Sequence, residues 1–211
     1  MEETRKKDLP DKAALTISVI FHPLLMPIYG MIIIFSAPTL FGYLPYDVKK
    51  VLFLIVLINN VLLPLSLIPY LRYRNHITSW SVDKRRERIL PLFIATILYA
   101  ATSYLIIRYP VPLLIKTFIM GIFIISLAVT AVNLWWKISI HSTAVGSIAA
   151  LVFVLSVKMN STLLWPMLIV ITGAGLTLSA RLRLNAHSPS EVWSGFFLGF
   201  TVQGLLMWLI K

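Results

Sequence analysis

Arg181, His187 and Glu191 sit in the stretch ARLRLNAHSPSEVWSGFFLG, residues 180–199, with five residues between the arginine and the histidine and three between the histidine and the glutamate. A guanidinium can fork two oxygens of a phosphate with charge-assisted hydrogen bonds. A neutral imidazole beside that phosphorus is a competent nucleophile that forms a phosphohistidine. A carboxylate on the other ring nitrogen fixes the tautomer and stabilises the imidazolium as it forms. Glu191 has a second reading, because Ser188-Pro189-Ser190-Glu191 is a capping box with proline at the first helical position. Arg183 reads as a snorkelling interfacial residue.

A second polar cluster, WWKISIHSTA at 135–144, supplies Lys137, Ser139 and His141 where an apolar run begins. A helix start offers unpaired backbone N–H groups and a positive dipole end, which suit a phosphate. His141 can protonate a departing alkoxide, since an unperturbed imidazole titrates at about 6.5. Trp135, Trp136 and Lys137 are equally what an aromatic and basic interfacial belt looks like. The third cluster is SVDKRRERILP, residues 81–91. Lys84, Arg85 and Arg88 are candidates for a cationic clamp, and the spacing does not say which of them point inward. Arg86 reads as an anchor and His76 as exposed. His22, in FHPLLMP, lies inside an apolar run. An intramembrane histidine is a functional hypothesis by default, with hydrogen bonding near the proline-broken backbone as the other reading.

These clusters interrupt a chain that is otherwise apolar. Of 211 residues, 58% are hydrophobic and only 13% charged, with mean hydropathy +0.86. A soluble domain of this length cannot hide that much apolar surface, so a bilayer is the expected solvent. The absence of cysteine excludes disulfides, thiolate metal sites and cysteine nucleophiles. Net charge is +11, a value that first suggests nucleic acid. The charges lie in short breaks between apolar runs, however, and no soluble basic domain is present to hold a strand. Anionic membrane lipids, or a phosphorylated lipid as substrate, fit better.

A membrane-crossing helix takes about 20 apolar residues. Candidate spans are 14–38, 50–71, 89–107, 112–135, 141–157, 163–179 and 192–210. The expected fold is all-α: a polytopic transmembrane bundle of about seven helices, forming one domain over 1–211 with a charged tail at 1–13. The first run reads as a retained helix, because it lacks a small-residue cleavage site. Pro23 and Pro27 predict a bend within it. Gly195 and Gly199 form a small-xxx-small face for close packing within the chain or in a homo-oligomer.

Seven crossings put all three polar clusters on one face. That face also carries the larger share of Lys and Arg, which leans it towards the cytoplasm. Assigning Lys84, Arg85, Arg88, Lys137 and Arg181 to a substrate leaves the two faces nearly even.

The arrangement resembles the type 2 phosphatidic acid phosphatase superfamily of membrane lipid phosphatases, related to vanadium haloperoxidases. That family's third motif is Ser-Arg, five residues, His, three residues, Asp; here it reads Ala180-Arg181, five residues, His187, three residues, Glu191. Its second motif, Pro-Ser-Gly-His, appears as Ile138-Ser139-Ile140-His141, two spans earlier as in the family. The family's first motif is not present in its usual form; KRRERILP is a loose echo, and Lys137 competes for the same role. The direct resemblance covers roughly residues 130–205, with a motif-bearing core of about 81–205.

By that resemblance His187 is the nucleophile, Glu191 orients it, and His141 is the general acid. Arg181 and Ser139 hold phosphate oxygens, helped by Lys137, Lys84, Arg85 or Arg88. No metal or other cofactor is expected. The implied activity is hydrolysis of a lipid phosphate such as phosphatidate, phosphatidylglycerophosphate or a polyprenyl diphosphate. Phosphoryl transfer to another acceptor, and lipid-phosphate binding or transport without catalysis, are the alternatives.

Overall fold

A computed structural model describes residues 8–79, 82 and 84–209. The tail cations Arg5, Lys6 and Lys7, the loop residues Ser81 and Asp83, and Lys211 lie outside the described residues. Among those described, secondary structure is entirely helical, and seven helical segments are long and apolar enough to cross a membrane. They run Leu9–Ser36, Tyr46–Tyr73, Arg86–Arg108, Leu113–Asn133, Ile140–Lys158, Leu164–Arg183 and Pro189–Leu209, one on each expected span.

The first segment is broken where its prolines predict. Helix α1 (Leu9–Ile20) ends before His22, a 3₁₀ turn covers Pro23–Leu25, and α2 (Met26–Ser36) resumes the crossing. Proline offers no amide hydrogen and its ring clashes with the carbonyl four residues back. His22 fills the gap: its Nδ1 accepts a hydrogen bond from the Leu24 N–H at 3.3 Å.

The second segment holds a feature that hydropathy does not predict. Between α3 (Tyr46–Leu57) and α4 (Leu63–Tyr73) the backbone widens into a π turn over Ile58–Leu62. Pro64 comes two residues after this turn, and a wider turn relieves its clash with the Asn60 carbonyl. The Asn60 side chain is fully buried, and its Oδ1 accepts the Thr102 hydroxyl at 2.6 Å. That bond ties the second segment to α5 (Ile89–Arg108) in a medium without water to replace it.

Three further crossings complete the bundle around α7 (Ile140–Lys158), the most buried span. It packs on α9 (Pro189–Leu209), on α8 (Leu164–Arg183) and on α2, while α5 pairs with α6 (Leu113–Asn133) and α1 with α8. In a bilayer, helix association depends on close van der Waals fit and interhelical hydrogen bonds. Gly195 and Gly199 supply the fit. A Cβ on Gly195 would lie 2.6 Å from the Ser139 carbonyl oxygen, and one on Gly199 would collide with the Thr143 carbonyl. Of the two readings of that face, packing within the chain or between chains, the structure shows the first: the face is occupied by α7, which brings the starts of α7 and α9 together.

Candidate active site

The starts of α5, α7 and α9 meet the end of α8 at one end of the bundle, and backbone bonds hold them in place. The Ser139 N–H donates to the Glu191 carbonyl at 3.2 Å. Ser139 is the N-cap of α7, its hydroxyl accepting from the Ser142 N–H at 3.4 Å and the Ser142 hydroxyl at 2.9 Å. Lys137 Nζ donates to the Ala186 carbonyl at 2.9 Å, binding the α6–α7 connection to the loop that carries His187.

His187 sits in that loop with a side chain only 1% exposed. Its Nδ1–H donates to Glu191 Oε2 at 2.8 Å. The same oxygen accepts the Ser188 N–H at 3.2 Å, and Ser188 Oγ accepts the Glu191 N–H at 3.4 Å. One carboxylate thus closes the first turn of α9 and holds the His187 ring in place. With the proton on Nδ1, the Nε2 lone pair is left facing Arg88, whose Nη1 lies 3.5 Å away.

Burial pushes the pKa of His187 down, to about 4. The positive charges of Arg88 and Arg181 act in the same direction, and the hydrogen bond and charge of Glu191 oppose them. The ring is consequently neutral at physiological pH, its Nε2 lone pair turned to Arg88 in a cationic pocket.

Arg88 and Arg181 are both buried, 6% and 8% exposed. Arg88 is held at the start of α5 by Nε, which donates to the Val82 carbonyl at 2.8 Å. Arg181, in the last turn of α8, reaches the first segment, its Nη1 donating to Ser18 Oγ at 3.5 Å. His141 reaches the same residue, with Nε2–H donating to the Ser18 carbonyl at 3.2 Å. His22 packs edge-on against His141, ring centroids 5.5 Å apart at 84°. Arg181 lies within electrostatic range of His22, His141 and His187, and the two last-named rings are in range of each other. The histidine nearest the amino terminus thus joins the wall of the site.

The remaining basic candidates go elsewhere. Lys84, with a side chain 70% exposed, pairs with Glu87 at 3.3 Å. Arg85 Nη1 donates to the carbonyls of Asn133 (3.0 Å) and Leu134, and the Asn133 side chain returns a bond to the Arg85 carbonyl at 3.1 Å. Lys84 and Arg85 therefore brace the rim, and of the three loop cations Arg88 is the one turned to His187. Lys137 likewise ties backbone together. Arg183 pairs at the surface with Asp11 at 2.9 Å, as its interfacial reading expects.

No family model, curated protein or solved structure matches this chain. The site is therefore read from its own geometry.

Ser18 is the residue that sequence reasoning missed. Its signal was faint but present: Ser18 in α1 and His22 just past the end of α1 are four residues apart in an otherwise apolar run, so two polar side chains fall close together there. Together they add the first segment to α5, α7, α8 and α9 in the wall of the pocket.

Proposed function

We propose that the protein is an integral-membrane phosphatase of lipid phosphates, of the type 2 phosphatidic acid phosphatase kind, working through a phosphohistidine. The observation that carries this reading is the His187–Glu191 bond of 2.8 Å with Nε2 left facing Arg88. That is the arrangement a histidine needs to attack phosphorus: the correct tautomer, a carboxylate to steady the cation that forms, and a guanidinium where phosphate oxygens would lie.

In the first step Nε2 of His187 bonds to phosphorus as the bond to the lipid oxygen breaks. His141 enters the step as an imidazolium beside the bound phosphate dianion; it gives its Nδ1 proton to the departing alkoxide and is left neutral, its Nε2–H remaining on the Ser18 carbonyl. Arg88 and Arg181 balance the charge on the equatorial oxygens, the larger part of what phosphoryl transfer asks of a protein. In the second step water attacks phosphorus, His141 takes up its proton, and His187 leaves as neutral imidazole. Ser139 lies at the same helix start, with its hydroxyl held in the cap of α7.

The test is phosphate release by purified protein over a panel of lipid phosphates, with His187→Ala as control. Release that persists in chelator, is inhibited by vanadate and vanishes in the control supports the reading. Headgroup binding without turnover on any lipid phosphate contradicts it. From the charge count we also assign the site-bearing end to the cytoplasm. Because the chain has no cysteine, Lys84→Cys is a clean reporter: protection from an impermeant maleimide in intact cells supports that side, and labelling reverses it.

A further inference from the structure

Directly below the polar site lies a partly open apolar groove, with a cavity volume of about 100 Å³, between the broken first segment, α5, α6 and α7. Its upper lining is continuous with the site. Ile140 precedes His141, Pro23 follows His22, and Leu92 is one helical turn beyond Arg88. From there it follows α7 past Ala144 to Ile148, about 12 Å of helix at 1.5 Å per residue.

Of the four hydroxyl side chains in its lining, which include Tyr99, three are bonded within the protein. Ser126 bonds Thr96 at 2.8 Å, Thr143 donates to the Ser139 carbonyl at 2.9 Å, and Ser147 to the Ala144 carbonyl at 3.0 Å. Such a lining is apolar along most of its length and suits a hydrocarbon guest better than a polar one. The break at His22–Pro23 forms one of its walls.

Resting on the phosphatase reading, we propose that this groove seats the hydrocarbon chain of the phosphorylated substrate, whose phosphate lies between Arg88, Arg181 and His187. One chain lies along α7, and substrate preference is set by how far that chain reaches down the groove. The occupant is the substrate's own chain rather than a bulk bilayer tail, because the groove begins at the residues that flank the site.

Two measurements on the full-length protein test this. A dodecyl phosphonate with a mid-chain diazirine cannot be hydrolysed, so its crosslinking reports seating independently of turnover. Label on residues 140–148 and 23–27, reduced at least about fivefold in Ala144→Phe, supports the groove. Label on the outward face of α8 at Leu168 and Ile171, both exposed, or label unchanged by Ala144→Phe, overturns it. In the second measurement, Ala144→Phe lowers the ratio of kcat/KM for dodecyl phosphate over butyl phosphate by more than about tenfold. An unchanged ratio overturns the proposal. Ala95→Leu, from the α5 wall, serves where Ala144→Phe does not fold. If wild-type protein releases phosphate from neither compound nor from any lipid phosphate of the panel, the phosphatase reading fails, and the crosslink still decides the groove.

Discussion

Glu191 and His187 share one hydrogen bond of 2.8 Å, and the carboxylate oxygen that makes it also closes the first turn of α9. Helix end and imidazole are thereby set by one atom. The two roles separate by substitution. Glu191→Gln keeps an acceptor suited to a capping box, so thermal stability stays near wild type. It cannot balance an imidazolium, so kcat falls roughly 10²–10⁴-fold, the scale seen when a histidine loses its carboxylate. Glu191→Ala loses the rate and also about 1 kcal/mol of helix capping. Thermal melts beside phosphate release check both; a Gln variant with full activity would show that the carboxylate acts only as a cap.

The loop cations should divide sharply. Arg88→Ala lowers kcat about 10²–10³-fold, the cost of removing one donor aimed at transition-state charge. Lys84→Ala stays within about twofold, since an exposed ion pair contributes under about 1 kcal/mol. Arg85→Ala lowers the melting temperature more than the rate, because its guanidinium braces the Asn133 and Leu134 carbonyls.

His22 acts as a positioning residue, through its ring edge against His141. His22→Ala is expected to lower kcat about tenfold with little change in KM, a loss of the size of one aromatic contact. His22→Phe restores most of it. Failure of phenylalanine to rescue would mean that His22 acts through its nitrogens.

The acid limb of the pH profile follows from His187. Protonation blocks Nε2, and burial opposes protonation, holding its pKa near 4. Activity should therefore persist as pH falls through the ordinary imidazole value of about 6.5, and be lost only on approach to pH 4. A kcat/KM profile reads this in the free enzyme; an acid limb at 6.5 would contradict a buried, neutral nucleophile.

Gly199→Ala drives a methyl into the Thr143 carbonyl and should cost about 1–3 kcal/mol by overpacking. The melting temperature falls while the oligomeric state is unchanged, because that face is filled by α7.

Much of this was legible in the sequence because the bilayer writes a strong signal. All seven spans follow from apolar length alone, and the bend at Pro23 follows from ring sterics. The spacing of His187 and Glu191 is one helical turn, so their contact was readable too. The π turn at Ile58–Leu62 was not, because hydropathy is blind to one extra residue in a turn. Nor was the choice among Lys84, Arg85 and Arg88. The first two precede the helix, where no periodicity fixes direction, and Asn133 decides where Arg85 goes. Ser18 escaped because its contacts to Arg181 and His141 exist only once α1 packs on α8. The small-xxx-small pair Gly195 and Gly199 serves contacts within and between chains equally well in sequence, and only the packing of α7 separates them.

The most direct test is to quench the purified protein during turnover of a lipid phosphate labelled on phosphorus, and locate the covalent label. The account predicts an acid-labile, base-stable phosphoryl group on His187, absent in His187→Ala, with phosphate release reduced at least about 10³-fold in that variant. Undiminished release by His187→Ala would contradict it.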